Sequence, residues 1–444
     1  MNYDTIGQKR PTHYQFRYIL IIYNRNFTHI SIFDTERRGT HVSYKTLDKT
    51  FHISREQWEE LYNKRYHSDV AIHLDFKIKD SPAFFVEDLE VTNLLAQILR
   101  LDKEISLLTN SLPGKALEQY SKKCLIDEIV VTNNIEGVRS TRKDISDALQ
   151  ILEQQSEKKD KKHLFLGIVD RYSMLIQRQA YSPKTPQDIR DLYDEILLQE
   201  ILHDDKRNAP DGKVFRKGEC SIYGDNGEEV HRGRYPETEI IDCTEKALSF
   251  LHDQSIEPLY RIALFHYLFE YIHPFYDGNG RLGRFIFSSG LSGCLEPIIS
   301  LRISETIKEN LNQYQKAFTI CNKKENRGDV TPFLIMMLTM IQSAANSLKD
   351  TLMQKEEEWQ QYEAMIPALV HNHEEKVMQL YSLLIQAALF SETGITIAEL
   401  KYGLDIKSYA TLQNKLAIIK EQNLLLESKE GKMKYFKIDL EKIK

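Results

Sequence analysis

The chain has 444 residues, of which 41% are hydrophobic, and carries a formal net charge of −6. That size and composition can bury two or three cores and exclude a fibrous or wholly disordered protein, and the mildly acidic balance excludes one that coats nucleic acid by charge alone. No apolar run reaches the roughly 18 residues that span a bilayer, and the start, Met1-Asn-Tyr-Asp-Thr-Ile, lacks a basic stretch leading into an apolar one, so no membrane partner and a cytoplasmic location are expected.

Taken in chain order, residues 1 to about 85 hold strand-like stretches, Tyr18-Ile-Leu-Ile-Ile-Tyr23 and His29-Ile-Ser-Ile-Phe33, and predict a small β-containing lead-in. From about Asp88 the period turns helical: Leu94, Leu95, Ile98, Leu99 and Leu101 recur at three-to-four spacing, and Leu117 to Val131 repeats it. The charged stretch from Glu153 to Lys162 reads as a solvated helix end or loop. Between Asp211 and Tyr235 the texture becomes glycine-rich and extended, with Val214 to Gly224 as a hairpin candidate and Gly224-Asp-Asn-Gly227 as its turn signal. Helical periodicity returns over Leu259 to Tyr271, breaks at His273-Pro274, resumes after Gly280 and runs on through about Ser347. Glu356 to Ala368 reads as a linker or connecting helix, and the last 70 or so residues read as helix, helix, helix, hairpin, over Val377 to Phe390, Thr396 to Tyr402, Ser408 to Glu421 and two strands around Glu430-Gly431-Lys432. That order resembles a winged helix-turn-helix module. The boundaries so drawn are 1–85, 86–160, 161–350, 351–370 and 371–444. Cys124, Cys220, Cys243, Cys294 and Cys321 are far apart without paired ligand spacing and read as reduced thiols.

The chemistry concentrates in His273-Pro-Phe-Tyr-Asp-Gly-Asn-Gly-Arg-Leu-Gly-Arg284. Proline ends the incoming helix, so a loop must follow. Gly278 and Gly280 flank Asn279, itself tolerant of left-handed backbone, which lets consecutive amides point into one concavity and bind phosphate. Arg281 opens the next helix, whose N-terminus favours anions, and Arg284 lies one turn on. Asp277 at the mouth of an anion site makes sense if a divalent cation such as Mg²⁺ bridges it to phosphate. His273 suits the removal of a hydroxyl proton near neutral pH. These are the parts of a phosphoryl or nucleotidyl transfer site.

The segment also resembles the signature of the Fic family, His-Pro-Phe-x-(Asp or Glu)-Gly-Asn-Gly-Arg-x-x-Arg, and matches every specified position. The resemblance implies a mainly α-helical Fic-type core with a β-hairpin flap, and an enzyme that moves AMP from ATP and Mg²⁺ onto a Ser, Thr or Tyr hydroxyl of a protein, including this chain itself. In that reading His273 is the general base and Asp277 holds Mg²⁺. Gly278, Asn279, Gly280, Arg281 and Arg284 grip the phosphates, and Phe275 anchors the loop. The flap, which in the family pairs with the target backbone, maps to Val214 to Gly224, with Cys220, Ser221, Ile222 and Tyr223 as its pairing edge. Where the family carries a Tyr-Tyr pair and a later asparagine around the adenine, this chain has Tyr314, Gln315 and Asn322, so the second aromatic face is missing.

Upstream, Thr132-Asn-Asn-Ile-Glu136-Gly137 resembles the family's inhibitory motif, which implies a class II, internally inhibited enzyme in which Glu136 pairs with Arg284 and occupies the guanidinium meant for the γ-phosphate. Two alternatives stand beside transfer: removal of AMP, with Glu136 positioning a water, and a DNA-binding regulator that uses the core as a nucleotide sensor. In the C-terminal module Ser408 to Glu421 would be the recognition helix and Lys432 to Lys437 the wing; its lysines are nearly balanced by acids and no arginine follows residue 371, which leaves DNA contact and protein docking both open. A homodimer is also open to the chain.

Overall fold

The computed structural model describes residues 44–153, 164–223, 227–370, 374–430 and 433–443. The strand-like stretches at 18–23 and 29–33, nearly all of the charged stretch that begins at Glu153, most of the 224–227 turn and the Gly431-Lys432 turn lie outside the described residues.

The part of the lead-in that is described is half helical. Helices α1 (Leu47–Ile53) and α2 (Arg55–Tyr66) precede an antiparallel hairpin, β1 (Ala71–Ile78) and β2 (Ser81–Val86). Ser54 caps α2 by accepting from the Gln57 amide at 3.3 Å. One face of β1 alternates buried and exposed, whereas Ala83 to Val86 are buried on both sides. The reason for that double burial is a loop far along the chain: the Phe84 amide donates to the Gly328 carbonyl at 3.0 Å and the Val330 amide returns to Phe84 at 2.8 Å. Gly328, at φ 79°, leaves no room for a Cβ against the Pro82 carbonyl, so glycine is required there.

Helix α3 (Leu89–Ser111) begins at the point the period predicts, because the Asp88 carboxylate accepts from the amides of Glu90 and Val91. Its buried face is Val91, Ile98, Leu101 and Ile105; Leu99, expected on that face, is 47% exposed. Then come α4 (Gly114–Ile135), α5 (Arg142–Glu153), α6 (Leu166–Ile176), α7 (Pro186–Ile196), with a reciprocal Thr185/Asp188 capping box, and α8 (Leu198–Asp204). The hairpin of β3 (Ser221–Tyr223) and β4 (Glu229–Arg232) interrupts the helices. After it follow α9 (Glu237–Leu251), α10 (Pro258–Ile272), α11 (Asn279–Cys294), α12 (Pro297–Ser300), α13 (Ile303–Glu309) and α14 (Leu311–Cys321).

Helix α10 is apolar nearly all round and buried from Leu259 to Phe269 without interruption, as expected of a helix at the centre of a core. Helices α9 and α11 flank it, and α15 (Thr331–Leu369) packs across it. Helix α15 is one 39-residue helix that also runs along α3, so the boundary drawn at 350 falls within continuous helix. Its second half keeps burying Leu352, Trp359, Tyr362 and Ile366, which is why it does not behave as a linker. No helix among the described residues is long and apolar enough to cross a membrane.

The C-terminal part has the expected helices and hairpin together with one short strand that the sequence conceals: α16 (Glu375–Phe390), β5 (Ile395–Thr396), α17 (Ile397–Gly403), α18 (Tyr409–Glu421), β6 (Leu425–Glu430) and β7 (Met433–Ile438). The sheet order is β5-β7-β6, with Ile395 opposite Phe436 and Leu425 opposite Ile438. Helix α16 packs on both α4 and α15, so this part is continuous with the core rather than tethered to it.

Candidate active site

Helix α10 ends abruptly because Pro274 cannot continue it, and His273 takes a left-handed turn at φ 53°. The turn puts the imidazole in a nearly closed site: the ring is 13% exposed, and its Nδ1 lies 4.0 Å from the Glu270 carboxyl one turn back on α10. Burial pushes the imidazole down to about 3, with the charges of His231 and Arg216 acting in the same direction, so the ring is neutral and able to take a proton throughout the physiological range. Burial likewise pushes the Glu270 carboxyl up, to about 8, aided by Glu136 and opposed by Arg284.

The loop after Pro274 is held from inside. Phe275 is fully buried, stacked on Tyr193 at 3.8 Å between ring centroids and edge-on to Phe215. The Asn279 side chain closes the loop on itself, accepting from the Phe275 amide at 3.0 Å and donating to the Phe275 carbonyl at 2.9 Å. Asn279 is therefore spent on loop shape, and only its main chain is available to a phosphate. Gly278 adopts φ 82°, the backbone reversal that turns α11 toward the site.

Asp277 is 37% exposed at the mouth of the loop and uses Oδ1 to accept from the Gly278 amide at 2.6 Å. One carboxylate suits Mg²⁺, which takes a single protein oxygen and completes its octahedron with substrate phosphates and water. Among the described residues no group of three or more potential ligands could hold a metal without substrate.

The two arginines do not share partners. Arg281, fully buried, pairs with Glu200 of α8, while its Nε and its Nη2, the latter 4.0 Å from Asp277 Oδ1, make no hydrogen bond and remain donors for an anion. Arg284, 2% exposed, donates from Nε to Thr132 Oγ1 at 2.8 Å, from Nη2 to the Thr132 carbonyl at 3.1 Å, and pairs through Nη2 with Glu136 at 2.8 Å. Glu136 caps the C-terminus of α4, where Gly137 at φ 73° ends the helix. Its carboxylate lies so close over Gly280 that any Cβ at 280 would overlap it. A carboxylate therefore occupies the N-terminal end of α11, the place where the helix dipole and the first-turn amides attract an anion.

The residues expected around a base are divided. Tyr314 is buried, donates to or accepts from His266 Nε2 at 2.6 Å, and reaches Arg284; Asn322 is buried and accepts from the Tyr267 hydroxyl at 2.7 Å. Gln315 is on the exposed face of α14 and is not brought together with them.

The hairpin stands beside His273, but its strands are Ser221–Tyr223 and Glu229–Arg232, not the Val214–Gly224 segment expected. Val214 and Phe215 are instead drawn inward, their amides donating to Glu237 at 2.7 and 2.9 Å. Cys220 precedes the strand, accepting through its carbonyl from the Gly233 amide at 3.0 Å; Ser221 pairs across to Arg232 and Ile222 to His231, with an irregularity before Tyr223. No strand among the described residues covers the outer edge of β3. The hairpin presents Tyr223 and Val230 to solvent.

Glu200, Arg216 and Glu270 are the residues of this site that sequence reading misses. Glu270 carries a signal, Glu-x-x-His on one helical face; Glu200 and Arg216 reach the site only through tertiary packing.

Comparison with known proteins agrees with this site. The model of the Fic/DOC family matches residues 183–291, which contain the whole 273–284 segment. A protein adenylyltransferase Fic of Drosophila virilis is 28% identical over 145 residues, 32% of this chain and 27% of that protein, and one of Aedes aegypti is 22% identical over 303 residues, 67% of this chain and 52% of that protein. The chain thus spans between about a quarter and a half of these relatives' length. Among solved structures, a Fic family protein from Desulfovibrio desulfuricans G20 aligns over 80% of this chain and 97% of its own, at 18% identity and a TM-score of 0.44. The segment that the fold builds into an anion site beside a buried histidine thus lies near the C-terminal end of the stretch, residues 183–291, that matches the Fic/DOC family.

Proposed function

We propose that the chain transfers AMP from ATP and Mg²⁺ to a Ser, Thr or Tyr hydroxyl of a protein, and that Glu136 holds this activity down in the resting state. The observation that carries the reading is the carboxylate seated on Gly280 and Arg284: it marks an anion site next to a histidine that is held neutral. That the relatives of Drosophila virilis and Aedes aegypti are protein adenylyltransferases supports the same chemistry for this core.

In this reading the amides at the start of α11, the spare donors of Arg281 and the guanidinium of Arg284 hold the triphosphate. Mg²⁺, when bound with the nucleotide at Asp277, supplies charge neutralisation along the phosphates. A target strand pairs with the open edge of β3 and brings its hydroxyl to His273. The imidazole takes the hydroxyl proton as the oxygen attacks the α-phosphorus; the bond between the α- and β-phosphates breaks, and pyrophosphate leaves. Mass spectrometry of the Glu136→Gly chain incubated with ATP and Mg²⁺ tests this: a gain of one adenylyl group on the chain or on a trapped protein is expected, and no gain on either refutes transfer.

The pH profile follows from the lowered imidazole pKa. A base is lost as pH falls through its own pKa, so a histidine near the ordinary 6.5 would lose rate below that pH, whereas a ring held near 3 keeps its proton-accepting form to far lower pH. The kcat/KM of the Glu136→Gly chain should stay flat between pH 8 and about 6. A tenfold fall for each pH unit below about 6.5 would show that His273 titrates normally in the free enzyme.

For the C-terminal part we favour protein docking over DNA. Lys415 is tied to Glu374, and Lys420 and Lys434 both pair with Glu427, at 3.3 and 3.2 Å, which removes cations from the helix and hairpin that would face a phosphate backbone. A gel-shift series with the full chain should show no DNA binding at physiological salt; a complex that weakens steeply as salt rises would restore the DNA reading.

A further inference from the structure

The hairpin beside His273 is short, and β4 lies against α10 through a few defined bonds rather than a packed face. His231 Nε2 meets the Tyr271 carbonyl at 2.7 Å, and the Arg234 amide donates to the Ile272 carbonyl at 2.9 Å. What closes the two ends of the hairpin onto the catalytic loop is a pair of side chains with no role in gripping phosphate.

Arg216 is fully buried, and its hydrogen-bond partners are main-chain carbonyls from three separate places. Nε donates to His273 at 2.9 Å, Nη1 to Gly218 at 2.5 Å and Nη2 to Arg234 at 2.8 Å, while its own amide donates to the Pro274 carbonyl at 3.2 Å. One planar guanidinium thus joins the base's own carbonyl, the strand entering the hairpin and the strand leaving it. Burial lowers its pKa, and no lysine could satisfy three divergent carbonyls from one nitrogen at the end of a flexible stem. Space is reserved for the contact: a Cβ on Gly233 would come 2.5 Å from Arg216 Nη2 and 2.9 Å from His273 Cβ.

Tyr276 occupies a position where the family signature accepts any residue. Here its hydroxyl accepts from the Gly218 amide at 2.7 Å and donates to Asp211 Oδ1 at 3.1 Å, and the same Asp211 oxygen accepts from the Lys217 amide at 2.8 Å. Gly218 is therefore gripped from both sides, by its amide through Tyr276 and by its carbonyl through Arg216. Both grips originate within the His273–Tyr276 turn or on its carbonyl.

We propose that Arg216 and Tyr276 are positioning residues that fix the height and angle of the β3 edge relative to His273, so that a protein strand paired there presents its hydroxyl to the base. The inference rests on the transfer reading for its consequence, but its structural half is measurable alone. The first measurement is hydrogen exchange on the full Glu136→Gly chain with and without Tyr276→Phe, and separately with Arg216→Lys. Loss of one hydrogen bond at Gly218 should speed exchange of the Gly218 to Tyr223 and Gly233 to Arg234 amides by roughly tenfold, while α10 and α11 are unchanged. The second is transfer onto a His273→Asn copy of this chain supplied as acceptor: kcat/KM for that acceptor should fall by about tenfold while the dissociation constant for ATP and Mg²⁺ stays within about twofold. Unchanged hairpin exchange in Tyr276→Phe overturns the proposal, as does an equal loss of nucleotide affinity, which would make these residues part of the phosphate site. If Arg216→Lys fails to fold, Tyr276→Phe carries the test, since it removes a single hydroxyl. An inactive Glu136→Gly parent would count against the transfer reading and leave the exchange result standing on its own.

Discussion

Glu136→Gly should raise AMP transfer by about tenfold to a hundredfold, the range that corresponds to removing one charge-assisted hydrogen bond worth about 1.5–3 kcal/mol from the resting state. The Glu136 carboxylate and the nucleotide phosphates compete for one site. In the resting chain Arg284 is held by Thr132 through two hydrogen bonds and by Glu136, with Tyr314 also in reach, and Glu136 covers Gly280. A nucleotide must displace the carboxylate from both the guanidinium and the helix end before its phosphates can settle. Removing the carboxylate leaves Thr132 still holding the guanidinium, so the arginine stays aimed while its anion site empties. The same change leaves a buried cation short of a partner. Glu136 is 31% exposed, which moderates the penalty, and the free Glu136→Gly chain should lose about 1–3 kcal/mol of stability. ATP with Mg²⁺ should then raise its Tm more than it raises that of the unaltered chain. Radiolabelled transfer and a thermal-shift series check the two halves; equal transfer by both chains sinks the inhibitory role of Glu136, whatever the Tm values show.

The segment 273–284 was legible because its constraints are local. Pro274 ends α10, Gly278 is needed where φ turns positive, and a helix start attracts anions without help from elsewhere. The helical periodicity from about Asp88 and the four C-terminal elements are of the same kind. What the sequence concealed depends on partners far along the chain. Arg216 reads as an ordinary surface cation, since its three carbonyl partners converge only after the hairpin has folded back. Glu200 is indistinguishable from Asp204, the other acid of α8, until Arg281 is packed against it. The hairpin boundary slipped for a related reason: Val214-Phe-Arg has the residue preferences of a strand, but Glu237 caps its amides and pulls it inward. Asn279 is the converse case: it opens α11 with ordinary helical backbone, the positive φ falling on Gly278, and its side chain builds the loop. Gln315 follows Tyr314 directly on α14, so with Tyr314 turned inward its own side chain faces outward, a placement that the pairing of the two residues in the sequence does not reveal.

Loss of His273 should have the larger effect on the rate, and the variant chosen to show it matters. A general base contributes about 10²- to 10⁴-fold, so transfer in a Glu136→Gly background should fall by that factor. His273 sits at φ 53°, a backbone region that asparagine tolerates and alanine resists by about 1–2 kcal/mol. His273→Ala therefore combines loss of the base with strain at the very turn that aims the loop, and the Arg216 bond to the 273 carbonyl would be strained with it. His273→Asn keeps the turn and cannot take the proton. If the histidine acts as a base, both variants lose transfer by at least that factor while His273→Asn retains the Tm of its parent and its affinity for ATP with Mg²⁺. If instead the residue matters through the turn it makes, His273→Asn keeps most of the transfer and His273→Ala loses it. Measuring single-turnover rates for both, beside nucleotide binding, separates proton removal from loop geometry, because only the first leaves nucleotide affinity untouched while abolishing the chemical step.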